Sequence, residues 1–205
     1  MNATATSTTT IGIVVFDDVE ALDFAGPYEV FTTASRVHAR GRHAARPRFA
    51  VVTIGRTPQA VRARAGLKIE PDASIDDHPA LDALIVPGGV VSAELQRPEL
   101  MSWIAAQAAS VRVVASVCTG AFLLAKAGLL DGLEATTHWE DINDLRTMFP
   151  RVRVREGVRW VDQGAVVTSA GISAGIDMSL HLVERLADRE LALRTARQME
   201  FDWTQ

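Results

Sequence analysis

Cysteine is almost absent from this chain: Cys118 is the only cysteine among its 205 residues. A single thiol excludes an intrachain disulfide and is typical of a protein kept in a reducing compartment, so we expect a cytoplasmic location. Long apolar runs are missing too, whereas a helix that spans a bilayer needs roughly 20 consecutive apolar residues. The first ten residues are rich in threonine and lack the basic and apolar segments of a secretory signal. We interpret residues 1–10 as a disordered leader.

The chain also lacks an excess of positive charge. Lys and Arg number 21 against 25 Asp and Glu, which gives a net charge of −4 and no general attraction to nucleic acid or to an anionic membrane. The one biased segment, Arg36–Arg48, is basic but has no interleaved aromatic residues and no nucleic-acid-binding motif. We interpret it as a solvated loop and expect no nucleic-acid partner and no membrane association. The histidines do not follow the spacing of metal ligands, so no metal site is predicted.

What the chain does contain is an alternation of buried strands and helices. Short, nearly continuous apolar runs predict strands that are buried on both faces. A first helix is predicted to open at Gly26-Pro27, since proline loses no hydrogen bond in a first turn. The alternation predicts one α/β domain over residues 11–205, with a mostly parallel sheet and helices on both faces. The predicted strands are Ile11–Phe16, Phe49–Ile54, Leu81–Val86, Val111–Val117 and Ala165–Thr168, the further helices are Glu99–Ser110, Thr119–Ala127, Trp139–Phe149 and Ala174–Leu186, and Val152–Trp160 is predicted to be a small hairpin.

Cys118 lies at the corner between a predicted strand and a predicted helix. The β-branched run Val111–Val117 leads into it, and Thr119-Gly120 leads on to a stretch rich in alanine and leucine. Such a corner lifts a side chain out of the sheet and places it at a helix N-terminus, where unpaired N–H groups favour thiolate over thiol. The pattern favours a nucleophile, and a buried structural thiol is the alternative.

Two other predicted strands also end in groups that could serve a reaction. The first strand leads to a set of carboxylates, and the third ends in Pro87-Gly88-Gly89, a turn in which backbone N–H groups can approach a ligand closely. In a parallel sheet such strand ends meet at one edge. The N–H groups of Gly89 and Thr119 would then form an anion-stabilising pocket beside a Cys118 thiolate. The carboxylates after the first strand are Asp17, Asp18, Glu20 and Asp23.

Four motifs occur in a fixed order along the chain: Leu-Asp-Phe-Ala-Gly-Pro at 22–27, Ile-Val-Pro-Gly-Gly at 85–89, Ser-Val-Cys-Thr-Gly at 116–120 and Ala-Thr-Thr-His-Trp at 135–139. On these motifs the chain resembles the ThiJ/PfpI superfamily from about Ile11 to Trp203. The resemblance implies a flavodoxin-like fold of the class I glutamine amidotransferase type, a nucleophile elbow and a homodimer, to which an outward-facing Tyr28 and Phe31 could contribute. It also implies an acidic residue of the first helix in contact with the thiol. By position that residue is Asp23, for which a helix N-cap is the alternative role.

The residues around the cysteine narrow the activity that the resemblance implies. Thr119 stands where peptidase-like and glyoxalase-like members carry histidine, and with Asp23 as the acid the pattern is similar to the isocyanide hydratases. We therefore expect hydration of a small-molecule isocyanide to an N-substituted formamide, with Cys118 as nucleophile, Asp23 as acid and base, and no cofactor. Gly88, Gly89, Thr119 and His138 are expected to bind the substrate or stabilise its charge, and a scaffolding role fits His138 equally well.

Two alternative functions stay open on the same residues. One is glyoxalase- or deglycase-type action on α-oxoaldehydes through Cys118. The other is a non-enzymatic ligand- or redox-sensing module, because Cys-Thr-Gly-Ala-Phe-Leu-Leu and Thr-Thr-His-Trp also resemble the sensor domains of AraC-type regulators. Such regulators continue into a helix-turn-helix domain, which we do not expect here because the sequence ends at Gln205.

Overall fold

Strands and helices alternate along residues 7–40 and 46–204, which are the residues described by a computed structural model of the protein. The strands are β1 (Thr9–Val15), β2 (Phe49–Gly55), β3 (Val61–Arg62), β4 (Lys68–Ile69), β5 (Ala73–Ser74), β6 (Ala83–Val86), β7 (Val113–Val117), β8 (Glu134–Ala135), β9 (Arg153–Val154), β10 (Trp160–Asp162) and β11 (Val166–Ser169). The helices are α1 (Ala21–Ala39), α2 (Pro98–Ala108), α3 (Gly120–Lys126), α4 (Ile142–Met148), α5 (Ala174–Leu186) and α6 (Arg189–Gln198). Short 3-10 turns occur at Arg64–Gly66, Glu94–Gln96 and Trp139–Asp141.

A seven-stranded sheet in the order β10-β11-β7-β6-β1-β2-β5 forms the centre of the fold. β10 pairs antiparallel with β11, and the other neighbours are parallel. The register places Ile13 opposite Ile85 and Val86 opposite Ser116. Because β1, β6, β7 and β11 are parallel neighbours, their carboxyl ends meet at one edge of the sheet, where ligands bind in open α/β sheets.

Helices cover the sheet on both sides and bury its central strands. Helices α1, α5 and α6 pack against one another, while α2 and α3 contact each other on the opposite face. Every residue of β6, β7 and β11 is buried. This arrangement confirms the predicted mostly parallel α/β sheet of the flavodoxin-like type. The predicted outward position of Phe31 is wrong, since its side chain is fully buried and packs edge-to-face on Phe49 with ring centroids 5.3 Å apart.

The first helix begins earlier than predicted. Helix α1 starts at Ala21, so Pro27 lies inside it rather than in its first turn and cannot donate to the carbonyl of Asp23. The first turn is nevertheless anchored to the core, because Asp23 and Phe24 are both buried. The proline in the sequence therefore lies within this helix and does not mark its start.

The predicted hairpin at Val152–Trp160 is also wrong. Strand β9 pairs in parallel with β8, whereas β10 pairs antiparallel with β11. The chain does bend at Gly157, where φ is 73°, but a Gly signal of this kind does not specify which strands will pair. The predicted helix Trp139–Phe149 begins as a 3-10 turn and becomes α-helical only at Ile142, and α6 was not predicted.

Part of the predicted leader and part of the predicted basic loop belong to regular secondary structure. Strand β1 includes Thr9 and Thr10 of the predicted leader, and residues 1–6 lie outside the described residues. Residues 36–39 of the predicted basic loop belong to α1, and residues 41–45 lie outside the described residues. Over the described ranges, no helix is both long enough and apolar enough to cross a bilayer.

Candidate active site

Cys118 lies on a strained elbow between β7 and α3. Its φ angle is +56°, a left-handed conformation that costs free energy for any residue with a side chain. Hydrogen bonds hold this conformation in place: its N–H donates to the carbonyl oxygens of Ser169 (3.2 Å) and Ala170 (3.3 Å), and its carbonyl accepts from the Thr137 hydroxyl (2.9 Å). Gly120 permits the sharp turn, because a Cβ there would lie 2.1 Å from the carbonyl oxygen of Val86. Strain that is fixed from several sides in this way is typical of a functional position.

The Cys118 thiol is buried, with the residue only 7% exposed. Burial, followed by the negative charge of Asp23, raises the pKa of the thiol to about 12. The backbone N–H groups of Thr119 and Ile172 donate to the sulfur and lower this pKa, but less than burial raises it. Burial and the charge of Asp23 thus act against the expectation that this corner favours thiolate, because together they raise the thiol pKa more than the N–H groups lower it.

Asp23 lies in the first turn of α1 and is fully buried against the thiol. Its Oδ2 accepts a hydrogen bond from the N–H of Gly88 at 3.1 Å, and its Oδ1 is buried without a partner. The neighbouring Cys118 thiol lowers the pKa of this carboxyl group. Burial raises the pKa of Asp23 to about 7, and the Gly88 hydrogen bond opposes that shift. The alternative role as helix N-cap is wrong, because Glu20 occupies the N-cap position.

The two glycines after β6 are engaged differently from what was predicted. The N–H of Gly89 donates to the Thr119 hydroxyl (2.9 Å), and that hydroxyl donates back to the carbonyl of Gly89 (2.9 Å). Gly88 allows close packing, since a Cβ there would lie 2.5 Å from both the backbone nitrogen and the hydroxyl of Thr119. The prediction that the N–H group of Gly89 would face the sulfur is thus wrong, because that N–H is bonded to the Thr119 hydroxyl. The backbone groups that lower the thiol pKa are those of Thr119 and Ile172.

Ile172 was missed by the sequence analysis. It follows β11 and has φ +39°, which is rare for a β-branched residue. The sequence analysis predicted a helix over Ala174–Leu186 and assigned no role to the residues just before it. The neighbouring positions of β7 and β11 in the sheet explain why the two corners meet, because parallel neighbours end at the same edge.

His138 lies in the wall of the cleft. Its Nδ1 accepts from the N–H of Glu140 at 3.3 Å and lies 3.5 Å from Oδ2 of Asp141. The ring packs directly on Gly171, where a Cβ would lie 2.0 Å from Cδ2 of the imidazole. These contacts fix the orientation of the ring beside the cleft.

The cleft above the thiol has a volume of about 300 Å³ and polar walls. Arg64 and Glu20, which form an ion pair at 3.2 Å, line part of the cleft. The carboxylates of Glu140 and Asp141, in the 3-10 turn Trp139–Asp141, line another part. Within residues 7–40 and 46–204, no cluster of three or more His, Cys, Asp or Glu side chains is arranged to hold a metal ion. The lining residues are Glu20, Arg64, Gly89, Cys118, Thr119, His138, Glu140, Asp141 and Ile172.

This combination of fold and elbow agrees with a known family. The model of the DJ-1/PfpI family matches residues 9–185. The chain belongs to the DJ-1/PfpI family. The match confirms the resemblance to the ThiJ/PfpI superfamily, which the motifs around Asp23, Gly88 and Cys118 had indicated.

Relatives within this family include an enzyme and transcription regulators. The chain is 35% identical over 192 residues to the isonitrile hydratase of Pseudomonas putida, which covers 93% of this chain and 78% of that protein. It is also 35% identical over 182 residues to the HTH-type transcriptional regulator GbdR of Pseudomonas aeruginosa, covering 89% of this chain but only 48% of the regulator. The chain thus spans about half the length of that relative. Among solved structures, a ThiJ/PfpI family protein from Pseudomonas syringae superimposes with a TM-score of 0.83 at 26% identity, covering 98% of this chain and 78% of that one.

Proposed function

We propose that the protein hydrates an isocyanide to the N-substituted formamide at Cys118. The observation that carries this proposal is the buried Asp23 carboxyl group beside the buried Cys118 thiol, where each group shifts the pKa of the other, since the pair can supply a nucleophile and an acid at one carbon atom. The similarity to an isonitrile hydratase adds support, because isonitrile is another name for the same functional group.

The protons of the pair decide its reactivity. With the pKa of Asp23 near 7 and that of Cys118 near 12, the pair loses its first proton mainly from the carboxyl group. The two side chains are in contact, so the remaining proton can move from sulfur to carboxylate without a change in the charge of the pair. The resulting thiolate next to a carboxylic acid is the reactive arrangement, and the N–H groups of Thr119 and Ile172 stabilise its sulfur.

In the first step the thiolate attacks the terminal carbon of the isocyanide. A carbon–sulfur bond forms, and the carbon takes the proton of the Asp23 carboxylic acid as its new hydrogen. The product is a thioimidate in which sulfur, one hydrogen and the nitrogen double bond share this carbon. Asp23 is left as a carboxylate beside it, positioned to act as a base.

In the second step water attacks the same carbon while Asp23 takes one of its protons. The nitrogen accepts the electron pair of the double bond together with the proton that Asp23 has taken from water. The carbon–sulfur bond then breaks and leaves the thiolate, while the hydroxyl group gives its proton to Asp23 and becomes the formyl carbonyl. The formamide leaves, and the pair recovers its thiolate and its proton. One water molecule is consumed, and no oxidant, reductant or cofactor is needed.

The test is a turnover assay of the purified protein with an aryl isocyanide and, in parallel, methylglyoxal. We expect the formamide to appear only with the isocyanide, and we expect Cys118→Ala to abolish its formation. Thr147→Ala, on the exposed side of α4, serves as the control. Formation of lactate from methylglyoxal without isocyanide turnover would instead identify the α-oxoaldehyde activity.

A second function is ligand binding without turnover, which is favoured by the GbdR similarity and by the protonated thiol. The raised thiol pKa argues against a redox sensor, because thiolate is the form that oxidises readily. A ligand-binding module would bind the isocyanide or its product in a calorimeter and release no formamide. An enzyme would bind the isocyanide and also release the formamide.

A further inference from the structure

A second cavity of about 530 Å³ lies beside the thiol cleft. It is lined by the segments that follow β8 and β11, by the 3-10 turn Trp139–Asp141 and by the chain before β10. Trp139, Ile142, Val158 and Ile172 supply its large apolar side chains. We call this cavity the side pocket.

The side pocket adjoins the place where chemistry would occur. His138 and Ile172 line both the side pocket and the thiol cleft. The backbone N–H of Ile172 donates to the Cys118 sulfur, so this residue reaches both the reacting atom and the side pocket. Gly171 fixes the other shared wall, because the imidazole of His138 packs against its Cα. The side pocket is therefore the neighbouring cavity towards which the remaining atoms of a ligand bound at the sulfur would extend, past Ile172 and His138.

The two charged side chains that line the side pocket, Arg159 and Glu156, each form an ion pair with another residue of the protein. Arg159 forms an ion pair with the buried carboxylate of Asp177 and also donates to the Ser173 hydroxyl at 3.3 Å. Glu156 pairs with Arg146 at 3.2 Å. The thiol cleft, by contrast, is lined by several carboxylates. The side pocket therefore suits an uncharged, apolar group.

The exposed ring of Trp139 in the side pocket favours a flat group in particular. The Trp139 side chain is 75% exposed, although a large aromatic residue normally buries most of its surface. Its ring is tilted by 38° against the ring of His138, with centroids 5.7 Å apart, so it lies in the side pocket beside a residue that lines both cavities. An indole in this position can stack on an aromatic ring of a ligand.

We propose that the side pocket binds the nitrogen substituent of the substrate and that the substrate class is isocyanides with an aromatic or bulky apolar substituent. The assignment of the reacting group rests on the proposed function. The apolar pocket itself rests only on the arrangement of Trp139, Ile142, Val158 and Ile172.

The kinetic experiment compares two isocyanides, one with a naphthyl and one with a methyl substituent. In Trp139→Ala we expect the ratio of KM for the naphthyl compound to KM for the methyl compound to rise about tenfold, as the loss of an aromatic contact predicts. Trp139→Phe should restore most of the ratio. The matched control is Met148→Ala, which removes an exposed apolar side chain of α4 that does not line either cavity. An unchanged ratio in Trp139→Ala, or the same change in Met148→Ala, overturns the proposal.

A binding experiment separates this inference from the hydratase proposal. N-(1-naphthyl)formamide is titrated into the wild-type protein and Trp139→Ala by calorimetry, with sedimentation of both proteins as a check on their oligomeric state. Binding that weakens about tenfold in Trp139→Ala supports the side pocket even if the protein turns over no isocyanide, in which case only the proposed function fails. Absence of binding to the wild-type protein, or weakening that accompanies a change in oligomeric state, overturns the side pocket.

Discussion

At the scale of single residues, the ionisation of Asp23 and that of Cys118 are coupled: the charge of Asp23 raises the pKa of the thiol, whereas the thiol lowers the pKa of the carboxyl group. Both side chains are buried in contact, and burial is the largest cause of the raised pKa of each group. A second negative charge in such a place is strongly unfavourable, so the charge of the site is a property of the pair. The pair needs to lose one proton to react and must keep the other for transfer to carbon.

This coupling predicts the pH dependence of turnover. The doubly protonated pair lacks a base and is inactive, so kcat/KM should rise with pH through about 7, the pKa of Asp23, and then level off. A fall is expected only as the pH approaches the thiol pKa of about 12. In Asp23→Asn the rise near pH 7 should vanish and the rate should drop by a factor of about 10² or more. A wild-type profile that is flat between pH 5 and pH 9, on the order of two units either side of 7, would remove Asp23 from the mechanism.

The same carboxyl group should lower the stability of the protein at neutral pH. The pKa of Asp23 is raised from 3.8 to about 7 on folding, so the neutral form carries no penalty below pH 3.8 and stability is lost as the pH rises through 7. At about 1.4 kcal/mol per pKa unit, the loss is on the order of 4 kcal/mol. Asp23→Asn should therefore be more stable than the wild type at pH 8, with a difference that shrinks towards pH 4.

Urea unfolding at the two pH values measures this difference. The control is Asp76→Asn, which removes an exposed carboxyl group. It should show no comparable change between the two pH values. A stability difference between Asp23→Asn and the wild type that does not depend on pH would mean that ionisation of the buried Asp23 carboxyl group does not cause it.

The residues of the site were predictable from the sequence to different degrees. The motif at 22–27 indicated that Asp23 would reach the thiol, and the structure places it there. The protonation state of Cys118 was not predictable, because the sequence reveals the N–H donors at a corner but not how far the sulfur is buried. Ile172 was not predictable from its own pattern, since its contact with the sulfur depends on the neighbouring positions of β7 and β11.

At the scale of the elements, continuous apolar runs proved the most reliable signal. β6, β7 and β11 were located within two residues of their bounds because both faces of each strand are buried, which leaves little room for polar residues. The pairing of β10 was predicted wrongly, since its pairing with β11 is set by the sheet edge and not by its own sequence. Helix α6 has a strongly polar composition, so its amphipathic spacing is the signal that could have revealed it.

The loop after β6 and the elbow after β7 depend on each other. The backbone nitrogen of Thr119 packs against Gly88, where a Cβ would lie 2.5 Å away. Gly88→Ala should therefore displace the elbow, abolish turnover and destabilise the protein by roughly 1–3 kcal/mol through overpacking. Gly128→Ala is the matched control: this glycine has φ 79° and open space where a Cβ would lie, so the substitution strains the backbone away from the site. It should lower stability by about 1 kcal/mol and leave turnover intact. Equal activity of the two variants would show that the close contact at Gly88 is unimportant.

At the scale of the whole molecule, we predict a homodimer that uses the exposed side of α1. Leu22 and Tyr28 are each 39% exposed on this helix, whereas Phe31 is buried and cannot contribute. Sedimentation at micromolar concentration should show twice the chain mass of 22.2 kDa. Tyr28→Glu should shift the protein towards the single-chain mass, and Leu193→Glu, at an exposed position of α6, should not. A stable species of 22.2 kDa for the wild type would contradict the prediction.

The whole molecule should also fail to bind duplex DNA at physiological salt. Its net charge is −4, and the arginines at the ends of the basic segment are engaged within the protein. Arg36 pairs with Glu29 at 2.9 Å, and Arg48 donates to the Thr9 hydroxyl at 3.0 Å and to the carbonyl of Leu186. Since non-specific binding depends on cations that neutralise phosphates, we expect no mobility shift at about 0.15 M salt.

The decisive comparison is between this chain and a variant with Arg40, Arg42 and Arg46 changed to glutamine. If the basic segment were a nucleic-acid site, the wild type would bind at sub-micromolar concentration, its affinity would fall steeply with salt, and the variant would lose that binding. If the segment only connects α1 to β2, neither protein shifts the duplex at about 0.15 M salt. Any weak binding at low salt should then be similar for the two, because a molecule with 25 acidic against 21 basic side chains repels the phosphate backbone as a whole.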